Sequence, residues 1–438
     1  MSIPRSGDDA SPALDEQFDA LTRHLDVLEY EAFREREVAA QPSVSEGPLK
    51  QSREAHDRRN QLLKQRADLL EQITIGDPRW RLLSQPQPLD LGTALKVLSA
   101  RSQAVLTLYY EPPNLTAVLL YNGGAKVGQR ILAADVPKNL LEFANNLTGN
   151  APDLQKHDLS TEYSIQATDL IPERLLTQAL AASSLLVIPH EILHLIPWSA
   201  LMHQGKRLFE YLPVGILPNL ASAIAETHFS KPRTAALLGV GHYPGLPELD
   251  LSGVGEEIKA IQSVYRAASV KVDEPLLDAN ATEAAFWGLA KHTSGSDNVL
   301  HVSCHGKAEL LEPMNSGLLL FDSKVDAAEI ARSKLPFDEV VLSACNTGWR
   351  PIKVRGVALT ADEILGIPAG FLEAGVKAIL VSISKAQGEA ASALTTHYHT
   401  RRAANDPPLA AFQAAQKLML ESGAKPGTWV GFALYGCV

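Results

Sequence analysis

This chain is short of cysteine, of basic excess and of long apolar runs, and each shortage removes a class of function. Three cysteines occur in 438 residues: Cys304, Cys345 and Cys437. Three cannot build a disulfide framework, and their spacing fits no zinc knuckle. A reducing compartment is expected, and with it a cytoplasmic location. Lys and Arg number 40 against 50 Asp and Glu, a formal net charge of −10. A nucleic-acid binder usually carries the opposite balance, so no nucleic-acid contact is expected. No stretch of about 18 apolar residues exists, so no membrane span is expected. The start, MSIPRSGDDASPALDEQ, lacks the apolar centre of a signal peptide. What remains is an ordinary globular composition, 45% hydrophobic and 21% charged, long enough for two or three structural units.

The chain divides by texture. Residues 1–10 read as disordered. Ser11-Pro12 supplies a helix start, and Leu14, Phe18, Leu21, Leu25, Leu28 and Ala32 follow at heptad spacing. QPSVSEGP breaks this helix at 41–48, and a second charged helix with Leu62, Leu63, Leu69, Leu70 and Ile73 runs to about 75. Residues 11–78 are therefore expected to form a coiled-coil-like helical hairpin, for packing or for docking an activator or regulator. Beyond Asp77-Pro78, apolar runs recur at 104–110, 115–121, 184–189, 234–241, 298–306, 317–321, 339–348 and 376–384. Continuous runs mean strands covered on both faces, and intervening helical stretches mean a largely parallel sheet. The expected fold is an α/β sandwich in two related halves, 79–228 and 229–438.

In such sheets, sites form beyond the carboxyl ends of strands. NVLHVSCHG ends in His305-Gly306, and EVVLSACNTG carries Cys345 at its end, 345 − 305 = 40 residues later. That interval holds enough chain to make the two strands neighbours. An imidazole beside a thiol lowers its pKa and can protonate a leaving amine, which is the chemistry of amide cleavage by cysteine. The backbone amides of Gly306 and Cys345 are the candidate oxyanion donors. Cys304 alternates away from His305 and reads as core. His301 shares parity with His305 and reads as a packed histidine or a supporting one.

Two other motifs compete. His190, Glu191 and His194 spell a zinc-peptidase HExxH. Pro189 and Pro197 bracket it too tightly for the long helix such a site needs, and no third ligand is clear. No metal or cofactor is expected. GVGHYPG at 239–245 follows a strand like a nucleotide-binding turn, but its spacing is wrong and Pro244 interrupts the helix start.

Several ordered segments together resemble one family. They are LLVIPHEILHLIPWSAL (185–201), YLPVGILPNLASA (211–223), ALLGVGHYPGLPELDLSGVGEEIKAI (236–261), LHVSCHG (300–306), LSACNTG (342–348), GIPAGFLEAGVKAILVSI (366–383) and WVGFALYG (429–436). Over about 185–436 the chain resembles the CHAT domain, the caspase-like domain related to separase and the caspases. The resemblance implies a caspase-like three-layer α/β sandwich with a mostly parallel central sheet. Its first half would be a pseudo-caspase half and its second the catalytic one. It implies a cysteine endopeptidase with Cys345 as nucleophile and His305 as acid–base, cutting a partner protein in a bacterial defence or programmed-death system. The alternative is a silent caspase-fold scaffold that binds partners through the helical hairpin. Asp322, Asp362 and Glu363 are the carboxylates that could floor the substrate pocket. The segment WRPIKVRGVALTADE (349–363) departs from the family's shorter link after the cysteine. It reads as a solvated loop or as an element that shapes substrate binding.

Overall fold

The computed structural model describes residues 90–438 apart from 149–157, 226–227, 294, 309–312, 345–346, 348–352, 355–356, 359–365, 384–387 and 437–438; of the first 89 residues it describes Gln65 alone. The expected disordered start and helical hairpin therefore lie outside the described residues.

Unit Asp90–Val438 is organised by one 12-stranded sheet. Its strands are β1 (Gln103–Glu111), β2 (Asn114–Tyr121), β3 (Gly124–Ile131), β4 (Ser184–Ile188), β5 (Val214–Ile216), β6 (Thr234–Gly239), β7 (Lys271–Val272), β8 (Leu276–Leu277), β9 (Asn298–Ser303), β10 (Glu339–Ser343), β11 (Ala378–Ser382) and β12 (Phe432–Gly436). Their order across the sheet is β8-β6-β9-β10-β11-β12-β5-β4-β1-β2-β3, with β7 also paired to β6. Most neighbours are parallel; the antiparallel pairs are β1–β2, β2–β3 and β11–β12.

The continuous apolar runs became strands for the expected reason. β4, β9, β11 and β12 are buried at every position. β3, at the sheet margin, has no fully buried position and leaves Val127 and Ile131 exposed. Asn122 and Gly123 join β2 to β3 with φ of 51° and 73°, the left-handed pair a tight hairpin needs.

Side-chain parity builds the two outer layers. Val340 and Leu342 pack on one face with Ile330, Ile367 and Phe371. Val341, between them, packs on the other with Leu394, Tyr398 and Phe412. Helices α1 (Val254–Ala267) and α2 (Gly388–Ala403) belong to this second layer, where Ile258 and Ile261 meet Leu237 and Val299. The result is the expected three-layer α/β/α sandwich.

The direction of β12 sets where sites can form. It runs antiparallel to β11 but parallel to β5. The parallel strands β1, β4 and β5 therefore point opposite to β6, β9, β10 and β11. Their carboxyl ends emerge at opposite edges of one sheet.

The run at 317–321 did not join this sheet. Gly317–Leu319 pairs antiparallel with His305–Lys307 and with Lys324–Asp326 in a separate small sheet. The short link from Leu319 to Lys324 permits an antiparallel turn but no parallel crossover.

Gly370, in the helix Ile367–Glu373, shows how closely the outer layer is packed. A Cβ there would sit 2.5 Å from the Ala327 carbonyl oxygen. Alanine gains about 1 kcal/mol of helix propensity over glycine. Overpacking against backbone, which cannot swing aside, costs about 1–3 kcal/mol. Gly370→Ala is therefore expected to be net destabilising by up to about 2 kcal/mol in urea unfolding, against its propensity.

Candidate active site

β9 and β10 are adjacent and parallel, with Ser303 opposite Ser343. Each strand ends at its serine, and each is followed by a buried small residue, Cys304 or Ala344. His305 stands two residues beyond Ser303. Cys345 stands two residues beyond Ser343 in the sequence. Cys345 itself, its backbone amide, and the pocket candidates Asp362 and Glu363 lie outside the described residues. The flanks of Cys345 are anchored: the Thr347 hydroxyl donates to the Ala344 carbonyl at 3.1 Å and accepts from the Ser382 amide at 3.3 Å.

His305 is half-buried and held on three sides. Its Nε2 lies 2.7 Å from the Leu249 carbonyl oxygen. A carbonyl only accepts, so Nε2 carries the proton and Nδ1 holds the lone pair in the neutral ring. Its backbone amide donates to the Tyr243 hydroxyl at 3.1 Å, and the two rings pack with centroids 5.4 Å apart. The Tyr243 hydroxyl in turn donates to the carbonyl of Leu319, the residue paired with His305 across the small sheet. Burial, with a smaller push from Cys304, holds the Tyr243 phenol well above its ordinary value. It therefore stays a protonated donor.

The loop that delivers Leu249 and Tyr243 is fixed by two carboxylates. Asp250 accepts from the Tyr243 amide and meets the His242 ring at 3.0 Å. Asp278 accepts from the amides of Gly241 and His242. The amides a nucleotide-binding turn would offer a phosphate are thus spent on a side chain of the same chain.

Other expected residues fall as follows. Gly306 is half-buried next to His305 and pairs with Leu318. Asp322 is spoken for locally: its carboxylate accepts the Glu283 amide at 2.9 Å, at the start of the helix Glu283–His292. Cys304 is buried and its thiol donates to the His305 carbonyl at 3.3 Å.

Beneath β9 and β10 runs a polar chain that strand parity did not disclose. Glu257, buried on α1, accepts from Ser303 at 2.8 Å, Ser343 at 3.1 Å and Thr395 of α2 at 2.6 Å. His301 Nε2 lies 3.5 Å from it, an ion-pair distance longer than a well-formed hydrogen bond. His301 Nδ1 meets His399 Nε2 at 3.1 Å, and His399 Nδ1 meets the Tyr265 hydroxyl at 2.7 Å. Burial alone would raise the Glu257 carboxyl, but His301, Thr395 and Ser303 outweigh it and hold it low, hence ionised. The sequence did carry a signal: Val254, Glu257, Ile258, Ile261 and Tyr265 form one buried stripe at helical spacing.

His399 is fully buried, and burial, followed by His301 and Arg402, keeps it well below its ordinary 6.5. The stability consequence has a definite sign. Above that value folded and unfolded chains both hold the ring neutral. Below it the unfolded chain takes a proton that the folded chain refuses, so stability falls with pH. The expected slope from this one group approaches about 1.4 kcal/mol per pH unit. Carboxylates held low, such as Glu257, add their share only below about pH 4.3. Urea unfolding between pH 7 and 5 should show this slope in the wild type and a shallower one in His399→Gln.

The HExxH segment does not form a zincin helix. Glu191–Leu195 is one 3-10 helix, with His190 outside it in extended backbone. At three residues per turn, positions 190 and 194 do not share a face. His190 Nδ1 accepts the Tyr110 amide at 3.3 Å, and its ring packs on Tyr109. Among the described residues no group of three or more His, Cys, Asp or Glu could hold a metal ion. The segment also follows β4, at the opposite edge of the sheet from His305. Among the described residues no helix is long and apolar enough to cross a membrane.

The structure is similar to yeast (Saccharomyces cerevisiae) separase in its complex with securin, at 13% identity and a TM-score of 0.40, covering 96% of this chain and 27% of that one. It is also similar to the complex of the Porphyromonas gingivalis RgpB pro- and mature domains, at 11% identity and a TM-score of 0.39, covering 70% of this chain and 77% of that one. At such scores neither structure bears on mechanism. No curated protein matches the chain. A family model described as the CHAT domain matches residues 159–437, more than half of the chain and the whole of the stretch from β4 to β12, and so this chain belongs to the CHAT domain family.

Proposed function

We propose that this protein is a cysteine endopeptidase that cleaves a specific partner protein through Cys345 and His305. His305 Nδ1 takes the Cys345 thiol proton, and the thiolate sulfur attacks the scissile carbonyl carbon. The amides of Gly306 and Cys345 donate to the oxyanion. The imidazolium returns its proton to the leaving amine, a thioester remains, and water activated by His305 hydrolyses it. The observation that best supports this reading is the 2.7 Å bond from His305 Nε2 to the Leu249 carbonyl. It fixes the tautomer that leaves Nδ1 basic, at the end of the strand adjacent to the one that leads into Cys345.

The family context makes a regulated role in a bacterial defence or programmed-death system the natural setting. A cytoplasmic location and regulation by a partner docked on residues 11–78 belong to the same proposal.

The test is cleavage of proteins encoded beside this chain by wild type, Cys345→Ala and His190→Ala. Cleavage by wild type and His190→Ala, and none by Cys345→Ala, is the expected pattern. Loss only in His190→Ala, with sensitivity to chelator, would replace the thiol reading with a zinc one. Cleavage of no partner by any of the three would favour a binding scaffold.

A further inference from the structure

We propose that Glu257 is a positioning residue that sets the spacing of the strand ends leading to His305 and Cys345. This rests on the cysteine-peptidase reading above and adds the device that aligns its dyad. Glu257 is 4% exposed, and one of its oxygens, Oε2, accepts from both Ser303 and Ser343. Those serines are opposite each other on β9 and β10. Each precedes its candidate catalytic residue by two positions, because 305 − 303 and 345 − 343 are equal. The other oxygen, Oε1, accepts from Thr395 and faces His301. A single carboxylate thus ties two neighbouring strand ends to α1, which carries it, and to α2.

The economics of burial say that such a group is not there for stability alone. An ionised carboxylate loses several kcal/mol on leaving water, and apolar replacement of buried charge is often neutral or favourable. Charge-assisted bonds are short and directional, so what a shared acceptor supplies is geometry. Catalysis by a thiol–imidazole pair depends on that geometry, since displacement by about 1 Å can cost a hundredfold in rate. Between β9 and β10 the backbone ladder fixes register up to Ser303 and Ser343. Beyond them, His305 departs into the small sheet and the ladder no longer constrains it. The carboxylate clamp is placed at that last shared rung.

The test reads Cys345 directly and needs no natural substrate. Alkylation of Cys345 by iodoacetamide is followed by peptide mass spectrometry at pH 6 and at pH 9.5, which separates it from Cys304 and Cys437. The proteins are wild type, His305→Ala, Ser343→Ala, the pair Ser303→Ala with Ser343→Ala, Glu257→Gln and Glu257→Ala. A thiolate held by the imidazole reacts at pH 6; any thiol reacts at pH 9.5. The paired serine variant is expected to lose about tenfold at pH 6 and nothing at pH 9.5, imitating His305→Ala. Ser343→Ala, which leaves the other bonds to Glu257 in place and disturbs folding least, should lose part of that. Glu257→Gln keeps one oxygen acceptor and should retain more of the pH 6 rate than Glu257→Ala. Serine variants that match wild type at both pH values while His305→Ala loses its pH 6 rate would overturn the clamp alone. An unchanged profile in His305→Ala would overturn the dyad and the clamp with it. An equal loss at both pH values would mean a structural role and also overturn the proposal.

Discussion

Replacing His305 with alanine should lower kcat/KM by about 10²–10⁴ on whichever partner protein the wild type cuts, the range that a positioned acid–base normally contributes. It should also change the shape of the pH profile. On the proposed dyad, the imidazole lets thiolate form at and below neutral pH. Without it, Cys345 falls back to an ordinary thiol near pKa 8.5, so the variant's rate should climb tenfold per pH unit up to that point. His305→Gln tests the same idea more narrowly, because its amide can still donate to the Leu249 carbonyl but has no base to offer. A glutamine variant with near wild-type activity would mean that orientation, not proton transfer, is the contribution of position 305. A drop in both variants with unchanged thermal unfolding is the expected result.

The strand ends that lead to these two residues were legible in the sequence, and the reason is the burial of the sheet. β9 and β10 sit between two helical layers, so their apolar runs are unbroken and their ends are sharp. Polar residues at such ends stand out. The parts that were not legible are those with no sequence signature. A backbone carbonyl such as Leu249 orients His305, and any residue type supplies a carbonyl. The opposed direction of β12 separates the HExxH segment from His305, and only the assembled sheet reveals it. The 3-10 turn at Glu191–Leu195 was half-legible, since Pro189 and Pro197 left no room for an α-helix. His301 was placed on the face of His305 by parity, but the strand ends at Ser303, and parity does not carry across the departure into the small sheet. Glu257 could have been found from its place in the buried stripe of α1, where a carboxylate needs partners to be tolerated.

The largest stability effect should come from the ion pair at the other end of β10. Arg402 of α2 and Glu339, the first residue of the strand, are each 2% exposed and joined by a 2.6 Å bond from Nε to Oε2. Burial alone would lower the Arg402 pKa, but Glu339 outweighs it and raises it further, so the guanidinium is charged. It also donates to the carbonyls of Ser230 and Asp406. Removing one partner leaves the other charge in a dry site. Arg402→Ala and Glu339→Ala are therefore each expected to destabilise by about 3–5 kcal/mol in urea unfolding. Removing both with apolar residues of similar shape, Arg402→Met with Glu339→Leu, leaves no orphan charge and should cost far less than the sum. The comparison decides what the pair does. If the apolar double variant stays well below wild type in stability, the pair supplies net binding energy between helix and strand. If it recovers most of the loss, the pair is retained for alignment, as argued for Glu257 at the opposite end of the same strand. The arrangement then has one logic: β10 is fixed by a buried carboxylate contact at its first residue and another at its last, and Cys345 follows two residues beyond.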